Sequence, residues 1–230
     1  MHPLDNPIWK ALTTSQAHLA EVAGVARKFP PEITALAGFP EPSCEAFDSL
    51  AQLLTKQRAV GLFFDDPPVL PAGWSILLQG QLAQMIHEDG SKPSEPPAPI
   101  AGLVELNAAD VPEMVALTQL TKPGPFSTRT YELGNYIGIR RDGRLAAMAG
   151  ERLRVPGFAE ISAVCTHPDF LGRGFAAFLM KTLMQRIRRR GETPFLHVRA
   201  DNARAIALYE HLGYRRRMLA HYVVAAKPQA

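Results

Sequence analysis

The chain has 230 residues, 47% apolar and 20% charged, with a formal net charge of +3. That composition suffices for a sizeable core in one long domain or two short ones, and it reads as an ordinary soluble globular protein. Its two cysteines, Cys44 and Cys165, lie far apart and exclude both a disulfide framework and a paired metal-ligand motif, so a reducing, cytoplasmic setting is the default expectation.

The opening residues, 1–9, lack the basic and apolar regions of a signal peptide. Helices are expected around Ser15–Lys28 and Cys44–Gln57, followed by a short apolar strand at Ala59–Phe64 that ends in Asp65-Asp-Pro-Pro. The charge-free run Pro67–His87 is interrupted by prolines, glycines and three glutamines. It falls short of the roughly 20 apolar residues of a spanning helix, so no membrane span is expected. Residues 88–99 contain four prolines and no apolar period, the composition of an exposed linker. The expected layout is an N-terminal α/β domain over 1–87, the linker at 88–99, and a second domain over 100–230.

Beyond the linker the elements alternate quickly, as in an α/β sheet with short connections. A strand at Ala101–Glu105 and a helix at Asn107–Leu117 come first. The strands Tyr136–Arg141 and Leu145–Leu153 flank the hairpin signal Arg141-Asp-Gly-Arg144. Then follow a strand at Phe158–Thr166, a long helix at Gly172–Arg190, a strand at Pro194–Ala200, a helix from Asp201 or Asn202 to Leu212, and a last strand at Tyr214–Ala225.

Charge divides unevenly between the halves. Residues 1–100 carry 6 basic and 11 acidic side chains, and residues 101–230 carry 19 and 11, giving net charges of −5 and +8. The densest basic run, Arg186 to Arg190, falls at a predicted helix C-terminus, where the helix dipole favours it without a ligand. It lacks the interleaved aromatics of a single-strand nucleic-acid groove, so no nucleic-acid partner is expected.

The segment Gly172-Arg-Gly174-Phe-Ala-Ala177 places two glycines between a strand and a helix, a device that points free main-chain N–H groups at an anion. It matches the dinucleotide pattern G-x-G-x-x-A, but six residues, 166–171, separate strand from turn and only 58 residues follow Gly172. Both facts exclude a doubly wound nucleotide domain. A Walker A loop fails because no Gly-Lys-Ser/Thr follows.

The stretch Leu171-Gly-Arg-Gly-Phe-Ala176, preceded by Val164-Cys-Thr-His-Pro168, resembles the pyrophosphate loop Arg/Gln-x-x-Gly-x-Gly/Ala of the GNAT superfamily of N-acetyltransferases. Asn202-Ala-Arg-Ala-Ile-Ala-Leu-Tyr-Glu-His-Leu-Gly-Tyr214 is similar to that family's second signature, Asn-x-x-Ala-x-x-Leu-Tyr-x-x-x-Gly-Phe/Tyr. Together they cover about residues 101–225, and Leu171 is the one loop position that departs from the pattern. The resemblance implies a mixed α/β (α+β) fold with a mostly antiparallel central sheet flanked by helices. It leaves the acidic N-terminal half either covering the acceptor site or forming a degenerate copy of the same fold, a layout similar to glycine N-acyltransferase-like members.

It also implies acetyl-CoA as cosubstrate, with its pyrophosphate on the N–H groups of Leu171, Gly172, Arg173, Gly174, Phe175, Ala176 and Ala177, and its pantetheine along Val164, Cys165 and Thr166. The acceptor would be a primary amine of a small molecule or an amino terminus, acetylated directly. A non-catalytic CoA-sensing module is the rival reading. Amine acetylation requires a neutral amine and a protonated or stabilised thiolate. Glu160 is the candidate base, with Glu151 a rival, and an ion pair with Arg152 or Arg154 its structural alternative. Strand alternation would put Glu160, Ser162 and Val164 on one face. Tyr209 is the candidate acid, or else a packing residue on the stripe Ala205, Leu208, Tyr209, Leu212. Asn202 caps its helix, bonds the pantetheine, or does both. His167 and Cys165 lack further ligands at metal spacing, so no metal is expected.

Overall fold

The computed structural model describes residues 2–55, 58–87 and 100–227. A small three-stranded sheet is formed by β1 (Glu21–Ala23), β2 (Ala26–Lys28) and β3 (Ala37–Gly38). A large sheet joins β4 (Ala59–Phe64), β5 (Ser75–Ile86), β6 (Leu103–Leu106), β7 (Tyr136–Arg141), β8 (Arg144–Val155), β9 (Phe158–Thr166), β10 (Thr193–Arg199) and β11 (Arg215–Ala226). Its order across is β4-β11-β5-β10-β9-β8-β7-β6, and every neighbouring pair is antiparallel except β9 and β10. Among the described residues five α-helices accompany the sheets: α1 (Pro7–Thr13), α2 (Cys44–Leu53), α3 (Val111–Thr121), α4 (Phe175–Arg189) and α5 (Ala203–His211).

The two faces of the large sheet are filled from different parts of the sequence. On one, α4 presents Leu179, Met180, Leu183 and Ile187 to Met85, Ile161 and Leu196, and α5 lies alongside. On the other, Leu4, Ile8, Leu12, Phe29 and Ile33 from the N-terminal segment pack on Leu153, Val155 and Phe195. Neighbours Phe195 and Leu196 thus enter opposite layers, as strand alternation demands. Each such fully buried side chain is worth about 1.5–3 kcal/mol relative to exposure, so the N-terminal segment is held as firmly as the helices opposite.

Two expectations are corrected. The boundary at residues 88–99, which themselves lie outside the described residues, does not separate two sheets: β5 lies between β10 and β11, with Met85 facing both Leu196 and Arg216. The charge-free run that contains β5 alternates once it is paired, with Ala83 and Met85 in one layer and Ile86 in the other. The helix expected at Ser15–Lys28 is a short 3₁₀ turn, Ala17–Leu19, followed by the β1–β2 hairpin. Gly24 turns that hairpin at φ 46°, and the flanking β-branched Val22 and Val25 favour extended backbone. Lastly, α1 and β5 are elements that the sequence pattern did not mark.

Candidate active site

The cleft is built where β9 and β10 part. These parallel strands pair only over Thr193–Phe158, Pro194–Ala159 and Phe195–Glu160. Beyond Glu160, β9 stays with β8 through Met148–Cys165 and Ala147–Thr166, while β10 stays with β5 as far as Arg199–Leu82. The inner edges of Val164, Cys165 and Thr166 therefore face an open wedge with their main-chain groups unpaired toward β10.

A bulge accounts for the parting. Three residues of β8, Met148 to Gly150, oppose four of β9, Ser162 to Cys165, and Ala163 adopts φ 53°. The extra residue bends the strand, and a side-chain-bearing residue in the left-handed region is the kind of strain that accumulates at functional sites. The bulge also corrects the expected alternation: Val164 packs with the α4 layer, whereas Ala163 and Cys165 pack with α3.

At the mouth of the wedge the chain turns into α4. Gly172 and Gly174 take φ 76° and 75°, and a Cβ on either would meet nothing, so backbone conformation and not crowding requires glycine there. Among the described residues, the N–H groups of Gly172 to Ala177 have no intramolecular acceptor, and the first pairing of this helix is Phe178 N–H to Gly174 O. Six consecutive donors thus stand at the positive end of a 15-residue helix, an arrangement that favours an anion. Leu171 is 51% exposed and supplies no polar side chain. Arg173 and Arg144 lie over the ring of Phe170, at 5.1 and 5.2 Å, and add positive charge at the rim.

Helix α5 flanks the wedge. Asn202 accepts from Ala205 N–H at 3.1 Å, so it does cap the helix. Although α5 is amphipathic, none of its residues is fully buried. Tyr209 is partly buried, its ring 6.1 Å from that of Tyr214. Burial pushes the phenol up to about 12, so at neutral pH it carries its proton.

The carboxylates behave differently from the expectation. Glu160 is fully buried, accepts Arg152 Nε and Nη2 at 2.9 and 2.6 Å, and receives Leu153 N–H at 3.3 Å and His197 Nδ1 at 2.7 Å. Burial alone would raise its pKa, but the Arg152 guanidinium and His197 outweigh it and hold the carboxyl at about 2. A carboxylate so held is a poor proton acceptor, and the ion pair with Arg152 is the alternative that the geometry supplies. Glu151 is also paired, to Arg190 at 3.1 and 2.8 Å and to Asn135 at 2.9 Å. Cys165 is buried, and burial raises its thiol to about 11, unsuited to nucleophilic attack. His167 accepts Asp169 N–H at 3.2 Å, and no metal-holding group of three or more ligands occurs among the described residues.

His197, Gln84 and Arg217 belong to this neighbourhood and were missed in the sequence. Gln84 and Arg217 stand on β5 and β11, which come near the cleft only because β5 inserts between β10 and β11, an arrangement no local pattern announces. A cavity of about 480 Å³ with Phe39, Phe63 and Phe64 in its walls and Asp5, Asp65 and Asp66 at its rim lies at the β4 end of the sheet. Strands β11 and β5 stand between it and the wedge. No described helix is long and apolar enough to cross a membrane.

A mostly antiparallel sheet that opens between two parallel strands beside a glycine turn and a helix N-terminus places the chain in the class of acyl-group transferases. The FR47-like protein family matches residues 136–224. The ribosomal protein bS18-alanine N-acetyltransferase of Salmonella typhimurium is 35% identical over 116 residues, covering 47% of this chain and 77% of that protein. The mycothiol acetyltransferase of Brachybacterium faecium is 33% identical over 111 residues, covering 46% and 34%. A GNAT-family protein of Novosphingobium aromaticivorans of known structure is 40% identical with a TM-score of 0.90 over 100% of both chains. The chain belongs to the GNAT family of acetyltransferases, and the N-terminal elements are part of the fold it shares with that last relative.

Proposed function

We propose that the protein transfers the acetyl group of acetyl-CoA directly to a primary amine, either of a small molecule or of an amino terminus. The observation that carries this reading is the wedge between β9 and β10, opening directly onto the six unpaired N–H groups of Gly172–Ala177. In this assignment the pyrophosphate sits on that cradle, and the pantetheine amides bond the free main-chain edge of Val164, Cys165 and Thr166. The Asn202 side chain, whose Oδ1 is occupied by its cap, has its amide hydrogens left for the same arm.

The reaction forms a nitrogen–carbon bond and breaks the carbon–sulfur bond of the thioester. The amine attacks as the free base, and the departing sulfur takes a proton, which we assign to Tyr209. The proton shed by the attacking nitrogen passes to solvent water, from which the Tyr209 phenolate is reprotonated. The phenol is protonated at neutral pH, as a proton donor to the sulfur must be. Glu160 is not assigned the amine's proton, because its carboxylate is committed to Arg152 and His197. Two curated relatives suggest the acceptor classes: one is named for an alanine of a ribosomal protein, the other for mycothiol. Unpaired Cys44 and Cys165 suit a reducing cytoplasm, where we place the reaction.

Titration calorimetry with acetyl-CoA tests the assignment. Saturable binding by the wild type, weakened in Gly174→Val, is expected; equal affinity in both would remove the loop from the site.

A further inference from the structure

Main-chain pairing between β9 and β10 ends at Phe195–Glu160, yet the two strands are joined once more just past that point by side chains. His197 of β10 reaches across to Glu160 of β9, Nδ1 to Oε1 at 2.7 Å, with the histidine side chain 1% exposed and the glutamate 0%. The other residues of β9 and β10 beyond this level have no such bridge among the described residues.

Both halves of the bridge are braced from outside. A second bulge opposes four residues of β8, Glu151 to Arg154, to three of β9, Ile161 to Ala159. It turns Leu153 N–H onto Glu160, while Arg152 makes its two-pronged ion pair. The main-chain groups that this bulge frees are taken up by buried Gln16, whose amide donates to Arg152 O at 2.7 Å and accepts Arg154 N–H at 3.2 Å. On the β10 side, Gln84 of β5 stands 3.1 Å from His197 Nε2. Arg217, which can only donate, bonds Gln84 Oε1 at 2.7 Å, so the amide nitrogen faces the imidazole and His197 Nε2 accepts. The proton of the ring then resides on Nδ1, the nitrogen that donates to Glu160. Arg217 is in turn paired to Asp5.

We infer that Glu160 and His197 are positioning residues, a clasp that fixes where β9 and β10 part and thereby how far the thioester of acetyl-CoA can enter. The geometry gives the N-terminal half its part in catalysis: Gln16 and Gln84 brace the clasp from either side, which explains why a strand from before residue 88 is threaded beside β10. The inference rests on the acetyl-CoA reading above, because it assigns the wedge to the pantetheine arm. The groups in hand fit that role, since none of them touches the open space directly and each is held by at least two partners.

The test compares His197→Leu, which removes the bridge, with His197→Asn, whose amide can occupy the Nδ1 position and restore it. Acetyl-CoA and acetyl-pantetheine are both assayed, the second lacking the pyrophosphate. His197→Leu is expected to lose about tenfold to a hundredfold in kcat/KM, the scale of a misplaced reacting group. The loss should be equal for the two substrates, because the clasp acts on the arm and not on the loop, and His197→Asn should recover most of it. A global loss of folded protein would lower both substrates without recovery of the CoA affinity, so calorimetric affinity for CoA is measured alongside. Unchanged kcat/KM in His197→Leu overturns the clasp. So does a His197→Asn enzyme that binds CoA like the wild type and yet turns over no faster than the leucine variant, since the imidazole itself would then be the reacting group. If His197→Leu does not fold, His197→Asn is compared with the wild type instead: kcat/KM near the wild-type value supports the clasp, and an asparagine variant that binds CoA normally but has lost about tenfold or more in kcat/KM overturns it. A wild type that binds no CoA would refute the function reading instead, a result separable from either of these.

Discussion

In Glu160→Gln the side chain keeps its shape and much of its hydrogen bonding but loses the charge opposite Arg152. The magnitude follows from the carboxyl's depression from 4.5 to about 2. At about 1.4 kcal/mol per pH unit, that drop corresponds to about 3 kcal/mol of native-state stability. The value agrees with the roughly 3–5 kcal/mol typical when one partner of a buried ion pair is removed. Because the folded-state pKa lies below the unfolded one, the contribution is complete above the unfolded carboxyl pKa and is lost as pH falls through the folded value. Urea unfolding of wild type and variant across that window isolates it, since other titrating groups cancel in the difference. The gap should stay near 3 kcal/mol above about pH 5 and narrow steadily toward about pH 2. A gap that is small at neutral pH, or that does not narrow on acidification, would refute the buried ion pair as the determinant of Glu160.

Other outcomes follow from the same geometry. Tyr209→Phe should retain CoA affinity while kcat falls by about a hundredfold or more, the range for loss of a general acid; unaltered kcat would dismiss Tyr209 from that role. Gly174→Val forces a β-branched residue to φ 75°, at a cost of about 1–3 kcal/mol. A lowered melting temperature and weakened CoA binding should appear together, and an unshifted melting curve would argue that the loop does not need the left-handed conformation. A maleimide should label the exposed Cys44 in the folded protein and leave buried Cys165 unmodified until denaturant is added, which mass spectrometry of peptides would show. Rapid labelling of Cys165 would contradict its burial between β9 and α3.

Much of the site was legible because its parts are local. The two glycines needed positive φ, the helix behind them carries an apolar face, and Asn202 stood where a capping residue belongs; each is written within a few neighbouring residues. Strands β4, β7 and β9 likewise emerge from apolar alternation between turn residues, the β7–β8 turn from Asp142-Gly143 at φ 51° and 74°. What escaped is non-local. Strand β5 reads as a broken apolar run, since its first seven residues are exposed and only the last few gain neighbours on both sides. The bulge at Ala163 leaves no compositional mark, and it reverses which layer Val164 enters. Glu160 looked costly in an apolar strand unless paired or useful. Choosing between those required His197, 37 residues away, and Gln84, a further 113 from His197, to be brought together by the sheet.

The central claim is that the wedge between β9 and β10 holds acetyl-CoA and delivers its acetyl group to an amine. Incubating the wild type with acetyl-CoA and a panel of small amines and N-terminal peptides, then measuring free thiol and acceptor mass in the same samples, tests this most directly. The account predicts one acetyl group on the acceptor amine for each thiol released, with neither product formed by a Gly174→Val, Tyr209→Phe double variant at a comparable rate. Tight CoA binding without any acetylated amine, or thiol release that the acceptor does not share, would contradict it.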